Sequence, residues 1–148
     1  MKVHRILAPT DFSEYSTQAI HDARELAQTF EATLVLLHVV EPPAYPIEGL
    51  PPSELGATLL EDLEQLATRD LARVLANEAE VKVVRRVVVG VPYRKIIEIA
   101  EAEKVDLIVM ATHGRTGLSH LFMGSVAERV VRTAPCPALT ICPTGRAT

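Results

Sequence analysis

Five apolar runs rich in Val, Ile and Leu punctuate the chain, at residues 3–9, 32–40, 81–90, 105–112 and 137–142. Runs of four to ten such residues bounded by turn formers read as strands. The second, "ATLVLLHVV", and the fourth, "VDLIVMAT", have too little polar alternation for a solvated face, which predicts a sheet covered on both sides. Between the runs the apolar positions recur every three or four residues. Ala19, Ile20, Ala23, Leu26, Ala27 and Phe30 form one stripe, and Leu55, Leu59, Leu63, Leu66, Ala67, Val74 and Leu75 another. A shorter helix is predicted over "PYRKIIEIAEAE", with Pro92 near its start, where a missing N–H costs nothing, and a last one from "GSVAERVV".

The predicted order is βαβαβαβαβ. Right-handed crossovers then require an open parallel sheet with helices on both faces, an α/β, Rossmann-like fold. Ligands of such sheets bind beyond the carboxyl ends of the strands, where the winding direction reverses. That places a crevice between the ends of the first and fourth strands, beside "APTDFS" and "MATHGRTG". One segment breaks the rhythm: "EPPAYPIEGLPPS" holds Pro42, Pro43, Pro46, Pro51 and Pro52, and reads either as a stiff link or as a flap near the same edge.

Composition narrows the function. At 148 residues the chain has the size of one domain, 1–148, and its 48% apolar and 4% aromatic content describes an aliphatic core. The net charge is −4 and no element carries a Lys/Arg cluster, which argues against nucleic acid as a partner. The longest apolar runs fall short of the roughly 20 residues that span a bilayer, and "MKVHRILAPTDF" breaks at Pro9 and Asp11 before a signal core forms, so a cytoplasmic location is expected. Cys136 and Cys142 lie six apart on one predicted strand, about 20 Å at 3.3 Å per residue, too far to bridge within the chain.

The chemistry concentrates in "ATHGRTGLSHLFMGSV", residues 111–126, where Gly114, Gly117 and Gly124 separate a buried strand from a helix start. Ser125 to Glu128 matches a capping box, which accounts for Ser125 without a ligand. It does not account for the glycines, which let backbone approach an anion where the free N–H groups and partial positive charge of a helix start favour one. Gly117 and Gly124 flank six residues and no Lys follows, which excludes a Walker A loop, and "PTDFSE" carries no dinucleotide glycines. His113 and His120 flank the glycines as expected exposed turn residues, while His38 is expected to be a hydrogen-bonded core residue.

Together "ILAPTDFSE", "HVVEP" and "MATHGRTGLSHLFMGSVAERVVRTAPCPALTI" resemble the universal stress protein family over nearly the whole chain. The family's nucleotide pattern is G, two residues, G, nine residues, G and Ser or Thr. It reads here as Ala111, Gly114, Gly124 and Ser125, with Ala111 departing from the first glycine by one methyl. The resemblance implies sheet order 3-2-1-4-5, a homodimer paired through the strand at 137–142, and binding of ATP or a related adenine nucleotide, with any Mg²⁺ carried in by the triphosphate. It also implies the site residues. Asp11 would face adenine or ribose, with Pro9 and Thr10 shaping that wall, although Asp11 to Glu14 also reads as a helix cap. Val39 would meet the adenine edge, and Met110 and Ala111 would lie along the ribose. Thr112, His113, Gly114, Arg115, Gly117, Gly124, Ser125 and Val126 would surround the phosphates, with Arg115 on the terminal ones. No residue reads as a general base, so binding with negligible turnover is expected. The alternatives are a dimeric interaction protein without nucleotide, to which Ala111 points, and a slow hydrolase.

Overall fold

The computed structural model describes residues 1–43, 55–114 and 122–142. Its elements alternate as β1 (Arg5–Pro9), α1 (Glu14–Phe30), β2 (Thr33–Val40), α2 (Leu55–Arg73), β3 (Val83–Val89), α3 (Pro92–Ala102), β4 (Leu107–Ala111), α4 (Ser125–Thr133) and β5 (Ala138–Ile141). The sheet is parallel throughout in the order β3-β2-β1-β4-β5. Each strand of the sequence reading is present, shorter by one to three residues than the apolar run that predicted it. The proline-rich segment lies outside the described residues beyond Pro43.

The period of two in a strand sorts the core into two layers. Ile6 and Ala8 of β1, Leu34 and Leu36 of β2 and Leu107 and Val109 of β4 meet α1 and α2 on one face. Leu7, Val35, Leu37, Ile108 and Met110 meet Ile96 and Ala100 of α3 and Ala127 and Val130 of α4 on the other. With both faces covered, β2 and β4 read as continuous apolar runs because every residue in them is packed.

Local chemistry fixes the element ends. Ser13 caps α1, its hydroxyl accepting the Ser16 N–H, and Glu31 closes that helix in the left-handed conformation, φ 53°. Arg85 of β3 reaches under the end of α2 and donates to the Leu71 carbonyl in its last turn and to those of Val74 and Leu75 just beyond it. The Asp106 carboxylate accepts the N–H groups of His4 and Arg5 at 2.8 and 2.9 Å, locking the start of β1 beside that of β4. Beyond their carboxyl ends the two strands part, because β1 feeds α1 on one face and β4 feeds α4 on the other. The crevice lies there.

Candidate functional site

The β1 wall of the crevice is a tight reversal held by side chains. Thr10 is buried, its N–H donates to Leu37 O at 2.8 Å, and its Oγ1 contacts Ser16 Oγ at 2.9 Å while accepting the Phe12 N–H at 3.0 Å. Asp11 Oδ1 accepts the Ser13 N–H at 3.0 Å. The two bonds hold Phe12 at φ 64°, a strained conformation for a bulky residue. Its ring stacks on His38 with centroids 4.5 Å apart, and His38 Nδ1 lies 2.8 Å from Thr10 O. A carbonyl only accepts, so Nδ1 carries the proton and donates. His38 is thus the hydrogen-bonded strand residue that was expected. The helix cap is Ser13, and Asp11 braces the turn ahead of it.

The β4 wall turns on Thr112, also buried. Its N–H donates to Ile141 O of β5 at 3.0 Å, its hydroxyl contacts His113 Nδ1 at 2.8 Å, and its carbonyl accepts the Gly124 N–H at 2.6 Å. The start of α4 is therefore pinned directly to the end of β4. A Cβ on Gly124 would stand 3.0 Å from that carbonyl, closer than side chains pack, so the position takes glycine because two backbones meet there. Across the crevice, a Cβ on Gly114 would stand 2.8 Å from Asp11 Oδ2, which brings the acid of the first wall against the glycine of the second.

Two expectations are corrected here. Gly124, not Ser125, is the N-cap of α4, and no side chain caps it, so the capping box is absent. Ser125 is the first helical residue, one place too late to cap, and the N–H groups of Ser125, Val126 and Ala127 point out of the helix end without partners inside the helix. His113 is only 8% exposed, held by Thr112 and facing the Tyr15 ring at 6.1 Å, rather than an exposed turn residue. Nothing in the spacing of "ATHG" signals that packing, which comes from α1 crossing the strand end.

The remaining expected residues divide. Pro9, Val39 and Ala111 are half-buried at the ends of β1, β2 and β4, and Met110 is buried beneath them. Arg115, Gly117 and His120 lie outside the described residues. Among the described residues no group of three or more His, Cys, Asp or Glu could hold a metal ion. A cavity of about 300 Å³ opens on the α1 side of the β1 turn, between α1 and the end of α2, lined by Thr10 and Phe12 of that turn and by Ile20, His21, Val74 and Leu75. It belongs to the layer on the other side of the sheet from Val39.

Parallel order, reversal of winding between β1 and β4, and an uncapped helix start at that point define a doubly wound α/β protein whose crevice lies at the switch point, where sheets of this kind bind ligands. The chain belongs to the universal stress protein family, whose model matches residues 2–141. Universal stress protein MJ0531 of Methanocaldococcus jannaschii is 40% identical over 140 residues, covering 93% of this chain and 81% of that one. The solved structure of MJ0577, from the same organism, superposes with a TM-score of 0.80 at 31% identity, covering 95% of this chain and 96% of that one. A universal stress protein solved in complex with cAMP shares the fold, with a TM-score of 0.64 at 23% identity over 95% of this chain and 98% of that one.

Proposed function

We propose that this protein binds ATP or a related adenine nucleotide in the crevice between β1 and β4 and acts as a stress-response regulator with little or no hydrolysis. The observation that carries this reading is the start of α4: a glycine cap without a side-chain partner, drawn against Thr112 O, with the N–H groups of residues 125–127 pointing out of the helix end. Such an end favours phosphate oxygens. Asp11 and Gly114 stand together at the adjoining wall, where the ribose or adenine would sit, with Val39 packed on the same side of the sheet as α4. Met110, Ala111, Thr112 and His113 line the β4 wall, Pro9 and Thr10 the β1 wall, and Arg115 and Gly117 belong to the phosphate end by their place in the sequence. That a protein of this fold is held with cAMP is consistent with an adenine nucleotide here.

Turnover needs a group that orients water or meets charge on the transferred phosphoryl. Asp11 is committed to the turn at the nucleoside end, and His113 Nδ1 is engaged by Thr112. Any Mg²⁺ would come with the triphosphate, since hard cations at such sites are held largely by phosphate and water. The protein would act as a cytoplasmic homodimer joined through β5, whose Leu139 is 41% exposed on an edge strand.

Calorimetric titration of nucleotide-stripped protein with MgATP, alongside Gly124→Val, tests the reading. Saturable binding that the variant loses while remaining folded is expected. Folded wild-type protein that takes up no ATP, ADP or AMP would instead favour an interaction protein of the same fold.

A further inference from the structure

Tyr93, the second residue of α3, sits between two guanidinium groups. Arg129 of α4 lies over its ring with Cζ 4.8 Å from the centroid, and Arg94 approaches the same ring at 5.7 Å while its Nε donates to the Tyr93 hydroxyl at 2.9 Å. Among the described residues no carboxylate pairs with either arginine. Glu98 and Glu128 on the same helices pair with Lys95 and Arg132. Two cations drawn to one phenol without an acid between them repel each other, and the donors they present are all of one kind. The forks of Arg94 and Arg129 donate, and the Tyr93 O–H, whose oxygen already accepts from Arg94, has its proton left to donate.

The cluster meets α4 one turn on from the helix start already described. Arg129 follows Ser125 by four residues and so shares its face of α4, and helical side chains lean toward the N-terminus of their own helix. Both α3 and α4 begin at the carboxyl edge of the sheet, so Tyr93 in the first turn of α3 and Arg129 in the second turn of α4 lie toward that edge.

We propose that Arg94, Tyr93 and Arg129 form a subsite for the terminal phosphates of the nucleotide, so that this crevice selects polyphosphates over monophosphates. This rests on the nucleotide-binding reading above. The arginine charges also act on the phenol, lowering its pKa below the ordinary value, chiefly through the Arg94 hydrogen bond. Charge-assisted bonds to phosphate are strong, and salt screens the attraction between exposed charges, so the selectivity should weaken at high ionic strength.

The test is the ratio of ATP to AMP affinity, measured by calorimetry on the full chain for wild type, Arg129→Gln and Arg94→Gln, with Tyr93→Phe as a variant that keeps the packing. The ratio should fall about tenfold in Arg129→Gln, the worth of one charge-assisted bond, and less in Tyr93→Phe. A parallel titration with inorganic phosphate separates the two sources of the same chemistry. Phosphate that competes with ATP and is weakened by Arg129→Gln supports the subsite. Phosphate binding lost in the variants with an unchanged ATP to AMP ratio would make this an independent anion site and overturn the proposal, as would an unchanged ratio with no phosphate effect. AMP and ATP binding with equal affinity in wild type overturns only the subsite. Failure of both nucleotides to bind overturns it together with the reading beneath it.

Discussion

A single added methyl group would meet opposite surroundings at Gly124 and at Gly56. At position 124 it would press on the Thr112 carbonyl from 3.0 Å, where backbone meets backbone and neither yields easily. Gly124→Ala is therefore expected to cost about 1–3 kcal/mol, as overpacking does, and to be seen as a lower Tm together with loss of ATP binding. At position 56, in α2, a Cβ meets nothing within 4 Å. Gly56→Ala should raise the Tm, by up to about 1 kcal/mol of helix propensity, and leave binding untouched. The same residue-level contrast marks how far the letters carried. The glycine spacing marked Gly114 and Gly124 as places of close approach, and a Cβ at either would crowd Asp11 or the Thr112 carbonyl. The burial of His113, the left-handed Phe12 and the meeting of Tyr93 with Arg129 were not legible, since each depends on which helices cross above which strand ends. Ser125 was misread as a cap because S-x-x-E has the same letters one residue out of phase.

Element by element the chain announces itself, because the unbroken apolar runs of β2 and β4 and the period of about four in α1 stand in the sequence without help from tertiary contacts. The polar joints between elements do not. Arg24 of α1 donates from Nε and Nη2 to Glu78 at 2.7 and 3.3 Å and from Nη2 to Glu80 at 2.8 Å, tying α1 to the connection between α2 and β3 across more than fifty residues of chain. Glu78 also accepts the N–H groups of Glu80 and Val81. The Arg24 bonds first, then these backbone bonds, lower the Glu78 pKa from 4.5 to about 2. A carboxylate whose pKa is depressed by folding stabilises the folded state above its unfolded pKa, because below that value the unfolded chain binds the extra proton. The stability contributed by this joint should therefore be complete above about pH 4.5 and fall away toward pH 2. Denaturant melts of wild type and Glu78→Gln across that range check it: the two curves should converge as the pH falls. A gap that stays constant would place the contribution of Glu78 in packing rather than charge.

At the scale of the molecule, the sheet ends on β5, a four-residue edge flanked by Pro135 and Pro137 on one side and Cys142 on the other. Proline at the start of an edge strand limits pairing there, and the exposed Leu139 leaves the rest available to a second copy. If the two-fold axis passes near Leu139, Cys136 of one protomer lies opposite Cys142 of the other. Mild oxidation should then yield an intersubunit disulfide, read on a non-reducing gel and lost in Cys142→Ser, and Leu139→Lys should shift the protein to monomer in sedimentation. Burial raises the Cys136 thiol pKa, so the disulfide should form faster at alkaline pH. Whether the helix start across from Asp11 holds the nucleotide is read from backbone amide shifts in NMR on adding saturating MgATP to labelled protein. The largest changes are expected at Ser125, Val126, Gly114 and Val39. Changes confined to Thr17, His21 and Val74, around the cavity between α1 and α2, with the α4 start unmoved, would contradict nucleotide binding there.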